Sequence, residues 1–219
     1  MKTVPATSNA LKLDSVTISL NGRTLISLNA SINPGEVLTV MGPSGSGKST
    51  LLHALAGSLA PVFKLEGTVR MGTTDILTLQ PETRCMGLLF QDPLLFPHLS
   101  VCGNLVIAIP RHTAKARAQR QALAEDALSA IGLEGYGPRD PATLSGGQAA
   151  RVALQRTLLS QPRALLLDEP FSKLDVALRQ EMRALVFDHA RARNLPVILV
   201  THDPEDAKAA GGEVFRLDQ

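Results

Sequence analysis

The chain has 219 residues, of which 44% are hydrophobic, 19% are charged and 3% are aromatic, and its formal net charge is +2. This composition fits a globular protein with a sizeable core and excludes a chain that is disordered throughout, while the small net charge and the few aromatic residues argue against nucleic acid as a partner. Because no apolar run approaches the roughly 18 residues of a membrane span and residues 1–10 lack a signal-peptide core, we expect a cytosolic protein.

The start of the chain predicts an antiparallel β-hairpin. Apolar and polar side chains alternate over Leu11–Leu20, Asn21-Gly22 is a turn signal, and residues 24–32 supply the second strand. We expect this hairpin to lead into the core and residues 1–9 to form a flexible N-terminus.

A phosphate-binding loop is predicted after the apolar strand Val37–Met41, because residues 42–50 fit the pattern G-x-x-x-x-G-K-[ST] and precede a helix over 49–56. Its backbone N–H groups and the helix N-terminus can bind phosphates, Lys48 can reach the β- and γ-phosphates, and the Ser49 hydroxyl can bind Mg²⁺. A glycine-rich turn with a chance lysine is the alternative. The predicted loop residues are Gly42, Pro43, Ser44, Gly45, Ser46, Gly47, Lys48, Ser49 and Thr50.

The middle of the chain changes character after short strands at 67–71 and 86–90. Prolines interrupt it, and a periodic, alanine-rich helix is predicted over 113–131. Strands that alternate with helices predict an α/β sheet, and the helical stretch indicates an insertion over about 92–160. The basic residues at its start indicate a solvated face: Arg111, Lys115, Arg117 and Arg120.

A second anion site is predicted at the start of the next helix, where Leu144 precedes four residues that suit phosphate binding. A serine hydroxyl and backbone N–H groups beside glycines can bind phosphate oxygens there, although an ordinary helix N-cap is the alternative. The four residues are Ser145, Gly146, Gly147 and Gln148.

Polar side chains follow two further buried strands. The apolar stretch 164–167 runs into Asp168 and Glu169, and the stretch 196–200 is followed by His202. Ligands bind at the carboxyl ends of such strands, so Asp168 is expected to hold Mg²⁺ through water, Glu169 to deprotonate an attacking water, and His202 to contact the γ-phosphate. A solvated turn and a structural histidine are the alternatives.

Six segments follow one another along the chain: the phosphate loop, Gln91, residues 144–148, Asp168-Glu169, residues 172–175 and His202. In this order they resemble the ATP-binding subunit of ABC transporters, and the resemblance covers essentially the whole chain. The resemblance implies an α/β P-loop NTPase core with a mostly parallel sheet, an N-terminal antiparallel β subdomain and an inserted helical subdomain, all in one ATP-binding domain over 10–219. It also implies roles: Gln91 as a catalytic and Mg²⁺-binding glutamine, Asp168 as the Walker B aspartate, Asp175 as the D-loop aspartate, and His202 as the switch histidine.

The implied function is ATP hydrolysis that drives solute import through partner membrane subunits. ATP and Mg²⁺ are the expected cofactors, and two copies are expected to form a head-to-tail dimer in which the signature residues of one protomer close over ATP on the other. Residues 96–101 are similar to the stretch that importer subunits use against the permease, and a solute-binding protein is expected in the complex. The protein would sit peripherally on the cytoplasmic face of the inner membrane. Residues 170–175 and 140–144 are closest to the YnjD-like group of importer ATPases.

Two departures from the family pattern stand out. Members usually carry an aromatic residue near the end of the first strand to stack on adenine, but that position falls at about Leu20 and no aromatic residue precedes Phe63. We therefore expect weak discrimination between ATP and GTP. Lys173 also replaces a residue that is commonly small.

Two other function classes are compatible with the sequence. A soluble ABC-type ATPase of DNA repair or translation would carry a coiled-coil insertion or tandem cassettes, which the chain lacks. A nucleotide-binding module without hydrolysis is suggested only by the missing aromatic residue, and phosphate release would dismiss it.

Overall fold

The computed structural model describes residues 9–43 and 45–217. Ser44 of the predicted loop and residues 1–8 of the predicted flexible N-terminus lie outside the described residues. The chain divides into two compact units. The first consists of residues 9–88, Arg163–Glu169 and residues 187–217. The second unit consists of Leu89–Pro162 and Pro170–Val186.

Nine strands and seven α-helices are formed by the described residues. The strands are β1 (Leu11–Leu20), β2 (Arg23–Ile32), β3 (Val37–Met41), β4 (Phe63–Met71), β5 (Thr74–Asp75), β6 (Met86–Leu89), β7 (Ala164–Asp168), β8 (Val197–Thr201) and β9 (Glu213–Arg216). The helices are α1 (Lys48–Ala56), α2 (Pro81–Arg84), α3 (Val101–Val106), α4 (Arg117–Ser129), α5 (Gly146–Leu159), α6 (Val176–Ala192) and α7 (Pro204–Ala210).

The first unit contains an antiparallel sheet in the order β2-β1-β4-β5. The hairpin of β1 and β2 forms as the sequence predicts, but β4 begins at Phe63 rather than at Gly67 and pairs with β1 along its length. Gly67 has φ 99°, and a Cβ there would lie 2.4 Å from the carbonyl oxygen of Ser15. Gly67 therefore marks a close approach within the strand, beside a register shift in β1, and not the strand's start.

The second sheet has the order β6-β7-β8-β3-β9, and the pairs formed by β3, β7, β8 and β9 are parallel. Strands β3 and β8 are buried at every residue, as expected for parallel strands covered on both faces. Their carboxyl ends lie at one edge, which brings the segments that follow β3, β7 and β8 together. An α/β fold with a parallel sheet and an N-terminal antiparallel sheet is thus confirmed.

A buried arginine fixes the C-terminal end of α1. Arg84 donates to the carbonyl oxygens of Ala54 at 2.8 Å and Leu55 at 3.0 Å, and to that of Leu79 at 3.1 Å. The last carbonyls of a helix lack intrahelical partners, so this guanidinium satisfies groups that would otherwise be orphaned.

The second unit packs α3, α4 and α5 around an apolar cluster that includes Val101, Leu105, Leu128 and Val152. Helix α4 begins at Arg117, later than predicted, because a turn after Pro110 precedes it and Ala116 is extended. Helix α6 begins at Val176, where Asp175 caps it: the Asp175 Oδ1 accepts from the N–H of Leu178 at 2.9 Å.

Candidate functional site

The phosphate loop joins β3 to α1 in the first unit. Gly45 and Gly47 have φ 82° and 91°, values that favour glycine, and a Cβ at Gly42 would lie 2.9 Å from the Ser46 hydroxyl oxygen. A Cβ at Gly45 would meet nothing within 4 Å, so the backbone there faces open space. The glycines thus shape a tight loop that a ligand can approach at the N-terminus of α1.

Lys48 is buried within this loop, with 5% of its surface exposed. Its Nζ donates to the carbonyl oxygens of Gly42 and Pro43, each at 2.8 Å, and lies 4.0 Å from Oε1 of Glu169. The Ser46 hydroxyl is buried and has no hydrogen-bond partner among the described residues. A positive charge and an unsatisfied hydroxyl inside one loop fit a bound polyanion such as the phosphates of a nucleotide.

A serine and a carboxylate meet at the first turn of α1. The Ser49 hydroxyl donates to Oδ1 of Asp168 at 2.9 Å, across from the end of β7. Burial raises the pKa of Asp168, while the Ser49 hydrogen bond opposes that rise. No group of three His, Cys, Asp or Glu side chains within residues 9–43 and 45–217 could hold a metal ion. A hydroxyl and a carboxylate are oxygen groups of the kind that suit Mg²⁺, a cation that usually keeps several of its waters.

The half-buried Asp168 carboxylate gives a prediction about stability. A carboxyl whose pKa is raised on folding favours the folded state when it is protonated, and stability falls as the pH rises from its usual pKa of 3.8 towards the raised value. In the nucleotide-free protein at pH 7, Asp168→Asn should therefore raise Tm by about 2 °C, and the gain should vanish below about pH 4. Thermal unfolding measured by circular dichroism at both pH values tests this.

If Asp168 has its predicted role in holding Mg²⁺, the same unfolding experiment with MgATP should give the wild-type protein the higher Tm, because the asparagine variant lacks the carboxylate. Asp188→Asn is a matched control, since Asp188 is an exposed carboxylate of α6 that pairs with Arg191 at 3.2 Å. A lower Tm for nucleotide-free Asp168→Asn at pH 7 would mean that the Ser49 bond outweighs the cost of burying the charge.

Glu169 stands between two basic side chains. Its Oε2 lies 3.1 Å from Nδ1 of His202, and its Oε1 faces Lys48. The backbone of Glu169 has φ 45°, and its N–H donates to the carbonyl oxygen of Val200 at 2.9 Å. This unusual conformation for a non-glycine residue turns the side chain at the point where β7 ends. A carboxylate held this way can orient a water molecule and accept its proton.

His202 is flanked by a bracing interaction that the sequence did not reveal. The Thr201 hydroxyl donates to the buried carboxylate of Asp206 at 2.7 Å and accepts from the N–H of Asp203 at 3.0 Å. These bonds fix the turn between β8 and α7 and so hold the backbone on both sides of His202. A threonine and an aspartate five residues apart carry no pattern that would have predicted this.

The predicted second anion site lies in the second unit, at the start of α5. The Ser145 hydroxyl accepts from the N–H of Gln148 at 3.3 Å, and the Gln148 side chain accepts from the N–H of Ser145 at 2.9 Å. The pair is a capping box. A Cβ at Gly146 would meet nothing within 4 Å, whereas one at Gly147 would lie 2.1 Å from the Leu178 side chain. Gly146 thus leaves the helix start open, and Gly147 allows α5 to pack closely against α6.

Gln91 and Asp175 also lie in the second unit, and their predicted roles stay predictions. The side chain of Asp175 caps α6, as described above. Beside Gln91, the carboxylate of Asp92 forms an ion pair with Lys173. This pair explains the lysine that departs from the family pattern, and no local sequence signal links the two positions.

Taken together, the phosphate loop, the Ser49–Asp168 pair and the Glu169 carboxylate at the edge of a parallel sheet define a nucleotide-binding ATPase of the P-loop class. A family model described as ABC transporter matches residues 25–172. The chain is 51% identical over 187 residues to the ABC transporter ATP-binding protein YnjD of Escherichia coli strain K12, with 85% of each chain covered. It is 48% identical to the thiamine import ATP-binding protein ThiQ of Cereibacter sphaeroides, covering 82% of this chain and 76% of that protein.

A solved structure of a metal-chelate type ABC transporter, in an inward-facing conformation, matches with a TM-score of 0.75 at 27% identity, covering 95% of this chain and 80% of that one. The chain therefore belongs to the ABC transporter family. It is an ATP-binding and ATP-hydrolysing subunit that drives transport, and the alternative of a soluble ATPase of DNA repair or translation is not favoured. Within the described residues, no helix is long and apolar enough to cross a membrane.

Proposed function

We propose that the chain binds MgATP through its phosphate loop, with Lys48 on the β- and γ-phosphates, the Ser49 hydroxyl as an oxygen ligand of Mg²⁺, and Asp168 holding Mg²⁺ through water. The convergence of these three side chains in the first unit carries the proposal. Ser49 and Asp168 would hold the Mg²⁺ beside the phosphates, where its charge would offset theirs. Lys48 exchanges its bonds to loop carbonyls for bonds to phosphate, so its buried charge keeps partners in both states.

In the proposed hydrolysis, Glu169 orients a water molecule and accepts its proton as the water oxygen bonds to the γ-phosphorus and the bond to the bridging oxygen of ADP breaks. His202 lies within hydrogen-bond distance of Glu169, so it can hold that carboxylate in place and contact the γ-phosphate. The Thr201–Asp206 interaction positions the turn that carries His202.

We further propose that hydrolysis takes place in a head-to-tail dimer. The open helix start at Ser145 and Gly146 would bind the phosphates of ATP that the partner holds in its own phosphate loop. Open space at Gly146 supports this, because a phosphate oxygen can approach the backbone there.

An apolar patch on the second unit supports a permease contact near residues 96–101. Leu94 is 56% exposed and Phe96 41% exposed, yet both lie on a braced segment. Arg156 donates to the Leu94 carbonyl oxygen at 2.8 Å and its guanidinium lies 5.3 Å from the centre of the Phe96 ring. The Asn104 amide accepts from the N–H of Phe96 at 2.7 Å and donates to its carbonyl oxygen at 3.1 Å. Apolar side chains held rigidly in solvent are typical of a docking surface.

Within the predicted contact range 96–101, residues 96–98 are exposed and Val101 is fully buried. The exposed Leu94 extends the proposed contact surface beyond that range. Import is the proposed direction, because relatives include import ATP-binding proteins such as ThiQ. We place the protein peripherally at the cytoplasmic face of the membrane, with a solute-binding protein in the complex.

Phe96→Asp tests the permease contact. A charge at the centre of this patch should reduce the membrane-bound fraction of the protein in its source cells by about tenfold, since one buried aromatic anchor contributes on the order of 1 to 2 kcal/mol or more. The bound fraction is measured by sedimentation of washed membranes and immunoblotting. Leu123→Asp is the matched control, because Leu123 lies in the same unit and is 37% exposed. Equal retention of both variants would remove the patch from the interface.

A further inference from the structure

Phe63 lies beside Leu20 at one end of the antiparallel sheet. The first residue of β4 is directly opposite the last residue of β1 in the register, and opposite residues of an antiparallel pair project from the same face. Both side chains are half-buried. Phe63 packs at the edge of the core cluster of the first unit, so part of its ring contacts the core and part is accessible.

This face of the sheet is the one that contacts the phosphate loop. A Cβ at Gly47 would lie 3.4 Å from Cβ of Leu25 and 3.5 Å from Cδ1 of Ile26, both in β2. Ile26 is opposite Ile18 in β1, and Ile18 is two residues from Leu20 and therefore on the same face.

The register shift between Ile18 and Ser19 explains why two consecutive β2 residues both reach the loop. A residue is inserted in β2 at this point, and such a bulge turns neighbouring side chains toward one side. This face of the sheet is therefore apolar from Gly47 to Phe63: Ile26 is buried, and Leu20 and Phe63 at the end of the sheet form its partly exposed surface.

From this surface we infer that Phe63 stacks on the base of the nucleotide whose phosphates the loop binds, an inference that rests on the proposed function. A ligand anchored by its phosphates at the start of α1 must lay its base on an adjoining surface, and here that surface ends in an aromatic ring. The ring comes from β4 instead of from the end of β1. Stacking accepts every base, so Phe63 supplies affinity with little selection of adenine over guanine.

Phe63→Ala should weaken ATP binding by about tenfold and GTP binding by a similar factor, and should leave the binding of inorganic tripolyphosphate unchanged, because that probe has no base. Calorimetric titration of the full chain with each of the three ligands measures this. Leu65→Ala is the matched control, since Leu65 is half-buried on the same strand and the same face, two residues further from the strand's end.

Phe63→Trp gives a direct optical readout, because the chain contains no tryptophan. A stacked base should quench the indole fluorescence on addition of ATP, while tripolyphosphate should not. Phe96→Trp, in the second unit, is the control that should not respond to ATP in the monomer.

The outcomes separate this inference from the proposed function. If ATP binds Phe63→Ala as tightly as it binds the wild-type protein, and tripolyphosphate does too, the role of Phe63 is overturned and the phosphate site still stands. A wild-type chain that binds neither ligand would overturn the phosphate site itself. Loss of ATP affinity equal in Phe63→Ala and Leu65→Ala would also contradict the inference, since it would reflect general loosening of the sheet.

Discussion

Changing Glu169 to Gln is expected to lower the rate of ATP hydrolysis by about 10²- to 10⁴-fold and to leave MgATP binding in place. The amide keeps the size of the side chain but cannot accept the proton of the attacking water. It can still form a hydrogen bond with His202, which lies 3.1 Å from the native carboxylate. Bound nucleotide should then persist, and the protein should accumulate as an ATP-bound dimer.

Phosphate release measures the rate of hydrolysis, and gel filtration at saturating MgATP measures the dimer. Glu205→Gln is a suitable control, because this substitution removes the same charge from the first unit. Glu205 is an exposed carboxylate of α7 that lies 4.0 Å from Lys208. Hydrolysis near the wild-type rate in Glu169→Gln would show that another group accepts the proton, and a monomer at saturating MgATP would argue against closure on ATP.

Ser145→Arg is expected to abolish hydrolysis while the monomer still binds ATP with near wild-type affinity. The bulky cation would fill the open start of α5, where the partner's phosphates are proposed to bind. Lys48→Ala should instead weaken ATP binding by about 10- to 100-fold and stop hydrolysis, because the buried ammonium that is proposed to contact the phosphates is lost. The two variants should thus damage opposite halves of the proposed composite site.

Mixing the two inactive variants provides the decisive measurement. A mixed dimer has one site built from two intact halves, so an equimolar mixture should recover about a quarter of wild-type activity if each site works alone. Ser160→Arg controls for an added cation at the other end of α5, and circular dichroism checks that loss of the Ser145 cap, worth about 1 kcal/mol, leaves the fold intact. No recovery on mixing would contradict the proposed dimer if sites act singly.

Much of the fold could be predicted because its signals are local. β3, β7 and β8 are short apolar runs bounded by polar turns, and the phosphate loop is a contiguous pattern whose spacing fixes which groups face the ligand. The residues that the structure brings together in the first unit, from Lys48 to His202, all follow such strands. Their convergence follows from parallel pairing alone.

What could not be predicted depends on contacts between distant segments. The first residues of β4 pair with the end of β1 more than 40 positions away, and only that register brings Phe63 beside Leu20. The hydrogen bonds of Arg84 also join distant segments, and the Thr201–Asp206 hydrogen bond is local but follows no recognisable sequence pattern. The role of a buried polar group depends on its hydrogen-bond partners, which its neighbours in sequence do not reveal. The start of α4 was missed by a few residues, because a turn after Pro110 precedes the helix.

The clamp formed by Arg84 has a mechanical consequence. Its planar fork ties the far end of α1 to the carbonyl oxygen of Leu79, so the helix and the segment before α2 form one stiff body. A nine-residue helix is about 13 Å long, and one end of this strut carries the phosphate loop. A displacement of the phosphate loop is then transmitted to the C-terminal end of α1, because α1 moves without bending.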